Sequence, residues 1–91
     1  MNKRDLIDSI SEQTDVTKSQ AEAILNVTLE TIIDTVSDGE RVTLVGFGSF
    51  EKRYRNAREG RNPKTGEPLN IPATDVPAFS AGKTFKEQVA F

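Results

Sequence analysis

A run of basic side chains with almost no acidic neighbours is the part of this chain with the clearest chemistry. Between positions 52 and 64, six basic residues stand against one acidic residue, Glu59. The six are Lys52, Arg53, Arg55, Arg58, Arg61 and Lys64. A segment with this charge and few apolar side chains has little to gain from burial. It is better suited to contact a polyanion, whose charge it neutralises.

Catalytic and metal-binding chemistry has few residues to work with here. The chain contains no cysteine and no histidine. Thiolate and imidazole ligands, disulfides and a histidine general base are therefore excluded. No clustered carboxylates indicate a metal site or an acid–base pair. The sequence predicts a protein that is not an enzyme, with no cofactor, no metal and no small-molecule substrate.

The charge of the chain is divided unequally along its length. Residues 1–40 hold three basic and nine acidic residues, a net −6, and residues 41–91 hold nine basic and five acidic, a net +4. Charges are screened over about 8–10 Å at physiological salt, so a local basic segment can bind a polyanion although the whole chain is acidic. No apolar run matches a membrane helix or a signal peptide. We expect no membrane partner and a location in the cytoplasm or nucleoid.

Ninety-one residues with a 35% hydrophobic share predict one small domain that cannot bury much of its surface alone. Without disulfides or a metal, oligomerisation is the remaining source of stability. We expect a helical dimerisation part at 1–40, a sheet with an arm at 41–79 and a C-terminal helix at 80–91.

Two capping boxes predict where the first helices begin. Asn2 is followed three residues later by Asp5, and Thr17 by Gln20. The second helix should end at Gly39, where glycine adopts a left-handed conformation. Its apolar stripe is wide for so small a chain, so part of it should pack against a second subunit. The predicted dimer contacts, on this helix and the sheet, are Leu25, Leu29, Ile32, Val36, Leu44, Phe47, Phe50 and Phe79.

From Arg41 onward the apolar period changes to two, which predicts strands. Val45 and Gly46 should form a tight turn, and the following strand should run without a break from Gly48 to Arg58.

The segment from Asn62 to Gly66 is predicted to be a turn, because proline presets φ and glycine supplies a positive φ. The return strand from Leu69 to Phe79 contains prolines that remove backbone donors, so it should lie at a sheet edge. Ser80 should cap a last helix from Lys83 to about Ala90.

The order of elements and the arm motif together resemble one protein family. The arm signature comprises Gly46, Phe47, Phe50, Arg55, Arg58, Gly60, Asn62, Pro63 and Thr65. Matches in the same register occur at Asn2-Lys3, Leu6-Ile7, Val76-Pro77-Ala78-Phe79 and Ala81-Gly82-Lys83. On these residues the chain is similar over its whole length to HU, the bacterial histone-like architectural DNA-binding proteins related to integration host factor.

The resemblance implies an α+β fold with an N-terminal two-helix hairpin, a three-stranded antiparallel sheet, a long β-ribbon arm and a short C-terminal helix. It also implies an intertwined homodimer, or a heterodimer with a paralogue. The two arms would wrap the DNA minor groove, and Pro63 at each tip would intercalate between base pairs and kink the duplex.

The residues that the resemblance assigns to DNA are on the arm and, as flanking contacts, on the helices. The arm residues are Arg53, Arg55, Arg58, Arg61, Asn62, Pro63 and Lys64, and the flanking residues are Lys3, Lys18, Lys83 and Lys86. The return strand usually carries several lysines in this family and has none here. Fewer phosphate contacts predict weaker non-specific binding at a given salt concentration.

Several functions remain open on the sequence. The first is bending or compaction of double-stranded DNA with little sequence specificity, with a preference for bent, nicked or gapped DNA. The second is sequence-selective bending of the integration host factor type, which would depend on DNA deformability more than on base contacts. A purely structural or RNA-binding module is a third possibility.

Overall fold

A computed structural model describes residues 1–90 of the protein, so Phe91, the end of the predicted C-terminal part, lies outside the described residues. The helices are α1 (Lys3–Gln13), α2 (Lys18–Ser37) and α3 (Lys83–Val89). The strands are β1 (Val42–Leu44), β2 (Gly48–Arg55), β3 (Arg58–Arg61), β4 (Pro68–Ile71) and β5 (Thr74–Ala81). The chain divides into two compact units, Met1–Asp34 and a second that begins at Thr35. The predicted α+β class and order of elements are confirmed.

Both predicted capping boxes are present. The Asp5 amide donates to the Asn2 side chain at 2.9 Å, and the Asn2 amide donates to the Asp5 carboxylate at 3.1 Å. Thr17 and Gln20 make the same reciprocal pair at the start of α2, at 2.9 and 3.1 Å. These bonds satisfy amides that have no partner within the helix, which explains why both helices begin where the sequence predicts.

Gly39 ends α2 as predicted, with a φ of +93°. Its amide donates to the Val36 carbonyl at 2.9 Å, and the Glu40 amide donates to the Thr35 carbonyl at 3.1 Å. This pair of bonds is the Schellman motif, which closes the last carbonyls of a helix. The chain leaves the motif directly into β1.

The second unit contains a three-stranded antiparallel sheet in the order β1-β2-β5. Val42 pairs with Phe50, and Phe50 pairs with Phe79, so one sheet face carries the apolar side chains. Gly46 has a φ of +84° in the turn between β1 and β2, which confirms the predicted tight turn. The return strand lies at the sheet edge, as its prolines predict.

The prediction of an unbroken ribbon is wrong at one place. Pairing lapses at Asn56-Ala57 on the outgoing side and at Pro72-Ala73 on the return side, and a separate two-stranded sheet of β3 and β4 follows. The register is unchanged across this gap, because Arg55 pairs with Thr74 before it and Arg58 pairs with Ile71 after it. Proline has no amide hydrogen to donate to the ladder, which explains the gap at Pro72.

The predicted cap of the last helix is also wrong. Ser80 lies within β5 and pairs with Ser49, so the strand extends into the part assigned to the C-terminal helix. Gly82 is the N-cap of α3, and its amide donates to the Phe47 carbonyl at 2.8 Å. The Ser80 hydroxyl accepts a hydrogen bond from Arg53 instead of capping α3.

Little of the chain is buried. Among residues 1–90, the buried hydrophobic side chains are Ile7, Ala21 and Val36, and no large side chain is fully buried. No polar side chain in this range is buried. None of the helices in the described part of the chain is long and apolar enough to cross a membrane.

Candidate nucleic-acid interface

The tip of the ribbon, residues 62–67, is organised around Asn62. Its side-chain oxygen accepts from the Lys64 amide at 2.9 Å, and its carbonyl accepts from the Gly66 amide at 2.7 Å. The Asn62 amide donates to the Glu67 carbonyl at 2.9 Å. Gly66 has a φ of +72°, as predicted. These bonds leave Pro63 exposed at the turn, with no backbone hydrogen to satisfy.

The distal ribbon, formed by β3, β4 and the tip, presents its cations to solvent. Arg58 and Lys64 are exposed, and neither makes an ion pair within 4 Å in residues 1–90. Arg55, at the end of β2, is likewise exposed and makes no ion pair within 4 Å in this range. Arg61 is bound to its own turn, because its guanidinium donates to the Gly66 carbonyl at 3.5 Å. The distal ribbon holds three basic and two acidic residues and is therefore net positive, and its cations form no ion pair within 4 Å in residues 1–90.

The ribbon root, formed by the paired part of β2 and β5, uses its cations differently. Glu51 lies between two arginines, with Arg41 at 2.6 Å and Arg53 at 2.9 Å from its two carboxylate oxygens. Arg53 also donates to the Ser80 hydroxyl at 3.2 Å. Two hydrogen bonds hold the pKa of the Glu51 carboxyl below its ordinary value of 4.5. The bond from Arg41 has the larger effect on this pKa and the bond from Arg53 the next.

Lys52 also has intramolecular partners. Its ammonium group lies 3.7 Å from the Asp75 carboxylate and donates to the Ser37 carbonyl at 3.2 Å. The Ser37 carbonyl is at the C-terminal end of α2, where carbonyls lack helical partners and a cation is favourable. The sequence groups Lys52 with the arm cations, but the structure places it in the packing between helix end and sheet.

The sequence did not identify Arg41, Glu51 and Ser80 as part of the candidate interface. Arg41 and Glu51 are ten residues apart, and Arg53 and Ser80 are twenty-seven apart. They meet because the strand register brings them to the same sheet face. The sequence predicts the turn between β1 and β2, but the prediction did not specify which residues of the two strands pair. This group was therefore not identified.

Four phenylalanines of the second unit form an aromatic cluster. Phe79 is at its centre, with ring centroids 4.9 Å from Phe50, 5.4 Å from Phe47 and 6.2 Å from Phe85. Tilted rings at these distances are favourable beyond the area that they bury. Even so, Phe47 is 46% exposed and Phe79 is 43% exposed. A single chain covers only part of this cluster. Phe85 belongs to it although the sequence did not place it among the dimer contacts.

The other predicted dimer residues differ in exposure. Leu29 and Leu44 are exposed, Leu25, Ile32 and Phe50 are partly exposed, and Val36 is buried within one chain. Ile24, Val27 and Ile33 on α2 are more than half exposed. The structure thus leaves a large amount of apolar surface in contact with solvent.

The predicted flanking lysines lie on helices. Lys3 is the first residue of α1, and Lys83 and Lys86 are on α3. All three are exposed. Two of the flanking lysines have carboxylate neighbours: Lys83 is 3.9 Å from Glu87, and Lys18 is 3.4 Å from Asp8. These exposed pairs are weak and leave the lysines accessible to another anion.

The described residues contain no group of three His, Cys, Asp or Glu side chains that could hold a metal ion. The arrangement offers cations, hydroxyl groups and an exposed proline, which are groups for binding rather than for bond chemistry.

Comparisons with known proteins agree with this description. The sequence model of a family described as bacterial DNA-binding protein matches residues 1–90. The DNA-binding protein HU of a Nostoc species is 66% identical over 90 residues, which cover 99% of this chain and 96% of that protein. The HU protein of Clostridium pasteurianum is 54% identical over 89 residues, covering 98% of each.

Solved structures give the same result for the fold. The Anabaena HU–DNA cocrystal structure matches with a TM-score of 0.93 at 66% identity, over 99% of this chain and 98% of that one. The HU structure from Thermotoga maritima matches with a TM-score of 0.70 at 35% identity, covering 98% of each chain.

Proposed function

Because the chain belongs to the family of bacterial DNA-binding proteins that includes HU, we propose that it is an architectural protein of the bacterial nucleoid. In this proposal its ribbon contacts the minor groove of double-stranded DNA and bends or compacts the duplex with little sequence specificity. The observation that carries the proposal is the distal ribbon, which combines unneutralised cations with an exposed proline at its tip. The high structural similarity to a protein crystallised with DNA supports it.

The ribbon binds through phosphate and groove contacts that do not depend on base sequence. Arg55, Arg58 and Lys64 neutralise phosphates and release counterions, which supplies most of the affinity of a non-specific binder. Such contacts orient a protein on the duplex but carry no direct sequence information. The flanking lysines Lys3, Lys83 and Lys86 extend the same electrostatic contact beyond the ribbon.

Pro63 supplies the bend. An apolar wedge that enters a base step unstacks it at a cost of a few kcal/mol, and the bent duplex then contacts more protein surface. Unstacking costs less where the duplex is already bent, nicked or gapped. The protein should therefore prefer such DNA over an intact linear duplex.

The functional form is a homodimer with two ribbons. The half-exposed aromatic cluster and the exposed apolar residues of α2 require a cover, and a second copy of the chain has the same self-complementary surface to offer. The limited burial within one chain supports this inference, since small chains without disulfides or metals commonly gain stability from assembly. Two ribbons on one dimer hold a duplex at two points, which is the geometry that bending needs.

Binding, bending and assembly can be measured together. Gel-shift competition would compare random duplex, nicked duplex, gapped duplex and double-stranded RNA at two salt concentrations, while fluorescence energy transfer between duplex ends reports the bend. We expect binding to random DNA, tighter binding to nicked and gapped DNA, and a dimer by sedimentation at micromolar concentration. A strong preference for one duplex sequence would indicate the selective type of bending. Preference for RNA, or a folded monomer, would contradict the proposal.

A further inference from the structure

The polar face of the ribbon root contains a group of charged and hydroxyl side chains that lies outside the distal ribbon. Strand register places Thr43 opposite Ser49 and Ser49 opposite Ser80, so three hydroxyl groups cross the sheet in one row. The next row on the same face holds Arg41 and Glu51. Arg53, one further step along β2, reaches back to Ser80.

Glu51 uses both carboxylate oxygens within this group. Oε2 accepts from Arg41 at 2.6 Å, and Oε1 accepts from Arg53 at 2.9 Å. An anion with two oxygens thus bridges two guanidinium groups, which is also the way in which a phosphodiester binds between arginines. The second donor of Arg53 and the row of hydroxyl groups lie beside the bridge and supply further hydrogen-bonding groups.

The charges and exposures of the group make exchange of the anion feasible. Two arginines and one carboxylate leave a net positive charge on this face. The Arg41 and Arg53 side chains are 63% and 53% exposed, whereas the Glu51 side chain is 23% exposed. The guanidinium groups are therefore accessible to a ligand from solvent, and exposed ion pairs of this kind are weak enough to be broken by a competing anion.

On the premise of the proposed function, we propose that Arg41, Arg53 and Ser80 form a second phosphate-binding site at the ribbon root. Glu51 occupies this site in the absence of DNA, in the place that a DNA backbone phosphate takes on binding. Glu51 is thus an intramolecular competitor of the duplex. It limits the contribution of the root to affinity and leaves the distal ribbon to dominate binding.

Replacing Glu51 by Gln tests the competition. E51Q keeps the size of the side chain but removes the anion, so Arg41 and Arg53 become available to phosphates. Affinity for random duplex should increase roughly three- to tenfold, the range expected for loss of a competing exposed ion-pair network. The dependence of log K on log salt should become steeper, because additional phosphates are contacted.

The matched control is E59Q, which removes the same charge from the distal ribbon, where Glu59 makes no ion pair within residues 1–90. It measures the general effect of a more positive arm, which we expect to be at most about twofold. Equal gains from E51Q and E59Q would overturn the proposal. A triple variant tests whether the gain in affinity depends on the arginines. In an R41Q/R53Q background, E51Q should increase affinity no more than E59Q does.

A further variant keeps the test informative if E51Q weakens the fold. R41Q leaves Glu51 paired with Arg53 and removes one guanidinium from the site, so it should weaken DNA binding with unchanged circular dichroism. Unchanged affinity for R41Q would contradict a phosphate site here. If the unmodified protein binds no duplex, the proposed function fails. If it binds duplex but E51Q behaves as E59Q does, only the second site fails.

Discussion

The root and the distal part of one ribbon share a single strand register but use their side chains in opposite ways. At the root, eight paired positions join β2 to β5, phenylalanines cover one face, and Glu51 and Asp75 form ion pairs with the nearby cations. Beyond the gap at Pro72, four paired positions join β3 to β4, and Arg58 and Lys64 have no carboxylate partner within residues 1–90.

Under the proposed function, one hairpin serves both stability and binding. Ion pairs and aromatic contacts at the root hold the strands in register, so the distal ribbon is not required to contribute to the core. The distal cations can then remain solvated and available. Pro72 separates the two regions, because it removes a ladder hydrogen bond without changing the register.

The largest expected effect concerns backbone packing at the root. A Cβ on Gly48 would lie 2.6 Å from the Phe79 ring and from the Ser80 carbonyl oxygen, and the backbone oxygen cannot move without breaking the ladder. G48A should therefore destabilise the protein by about 3 kcal/mol or prevent folding. Urea denaturation at fixed protein concentration measures it, since the stability of the proposed dimer depends on concentration.

Gly60 of the distal ribbon provides the matched control. A Cβ there would lie 3.2 Å from the terminal methyl of Ile71, which can move aside. G60A should change stability by less than about 1 kcal/mol. Similar losses for G48A and G60A would mean that the two regions contribute equally to stability, and the comparison between them would be wrong.

The next effect separates cations without a carboxylate partner in the described residues from cations that are paired within the chain. Replacing Arg55 and Arg58 by Gln in both subunits of the proposed dimer removes up to four phosphate contacts, so the slope of log K against log salt should fall by up to about 3.6. Affinity should decrease similarly on all duplex sequences. Fluorescence anisotropy across a salt series provides the slopes.

K52Q is the comparison for that experiment, because Lys52 is a root cation held by Asp75 and the Ser37 carbonyl. Its replacement should change the salt slope by less than one contact, about 0.9. If K52Q flattens the slope as much per charge as the replacement of Arg55 and Arg58 does, then cations paired within the chain bind DNA as well as unpaired ones.

A smaller effect on affinity is expected at the tip, where bending can be separated from binding. Pro63 has no charge, so P63A should keep most of its affinity for linear duplex, within about twofold, and its salt slope. It should lose the preference for nicked DNA and the ability to circularise short fragments. Gly66 and Asn62 still hold the turn in this variant. Undiminished circularisation by P63A would show that Pro63 only forms the turn, and equal loss of affinity on every duplex would assign it a role in ribbon shape.

The smallest effect is the pH dependence that Glu51 contributes to stability. Arg41 and Arg53 lower its pKa in the folded protein relative to the ordinary value of 4.5. Its stabilising contribution is therefore complete above that ordinary value and is lost as the pH falls through the lower, folded value. The difference in urea midpoint between the unmodified protein and E51Q should shrink on acidification from pH 7 to about pH 3. A constant difference between E51Q and the unmodified protein would contradict the role of the arginine pairs.

Much of the fold follows from local signals that need no knowledge of the rest of the molecule. Asn2 and Thr17 start their helices, Gly39 ends one, and Gly66 completes the tip, because each satisfies backbone groups within a few residues. The excess of positive charge on the arm could also be identified, since six basic residues stand against one acidic residue between positions 52 and 64.

The errors occurred where partners are distant in the sequence. Serine is a residue type that often caps helices. Ser80, however, is held in a strand by its pairing with Ser49 and by the hydrogen bond that it accepts from Arg53. Asn56 and Ala57 were predicted to continue β2. Ala57 lies opposite Pro72, however, and the ladder is interrupted there.

The sequence by itself determined the positions of the helices, the two tight turns and the local excess of positive charge, because caps, glycine conformations and screened charges act over short distances. Only the tertiary structure decided which cations are paired and which are available. That distinction depends on strand register, which brings Arg41 across to Glu51, whereas Arg58 and Lys64 have no carboxylate within 4 Å in residues 1–90. Register is a property of two strands together, so neither strand's sequence specifies it alone.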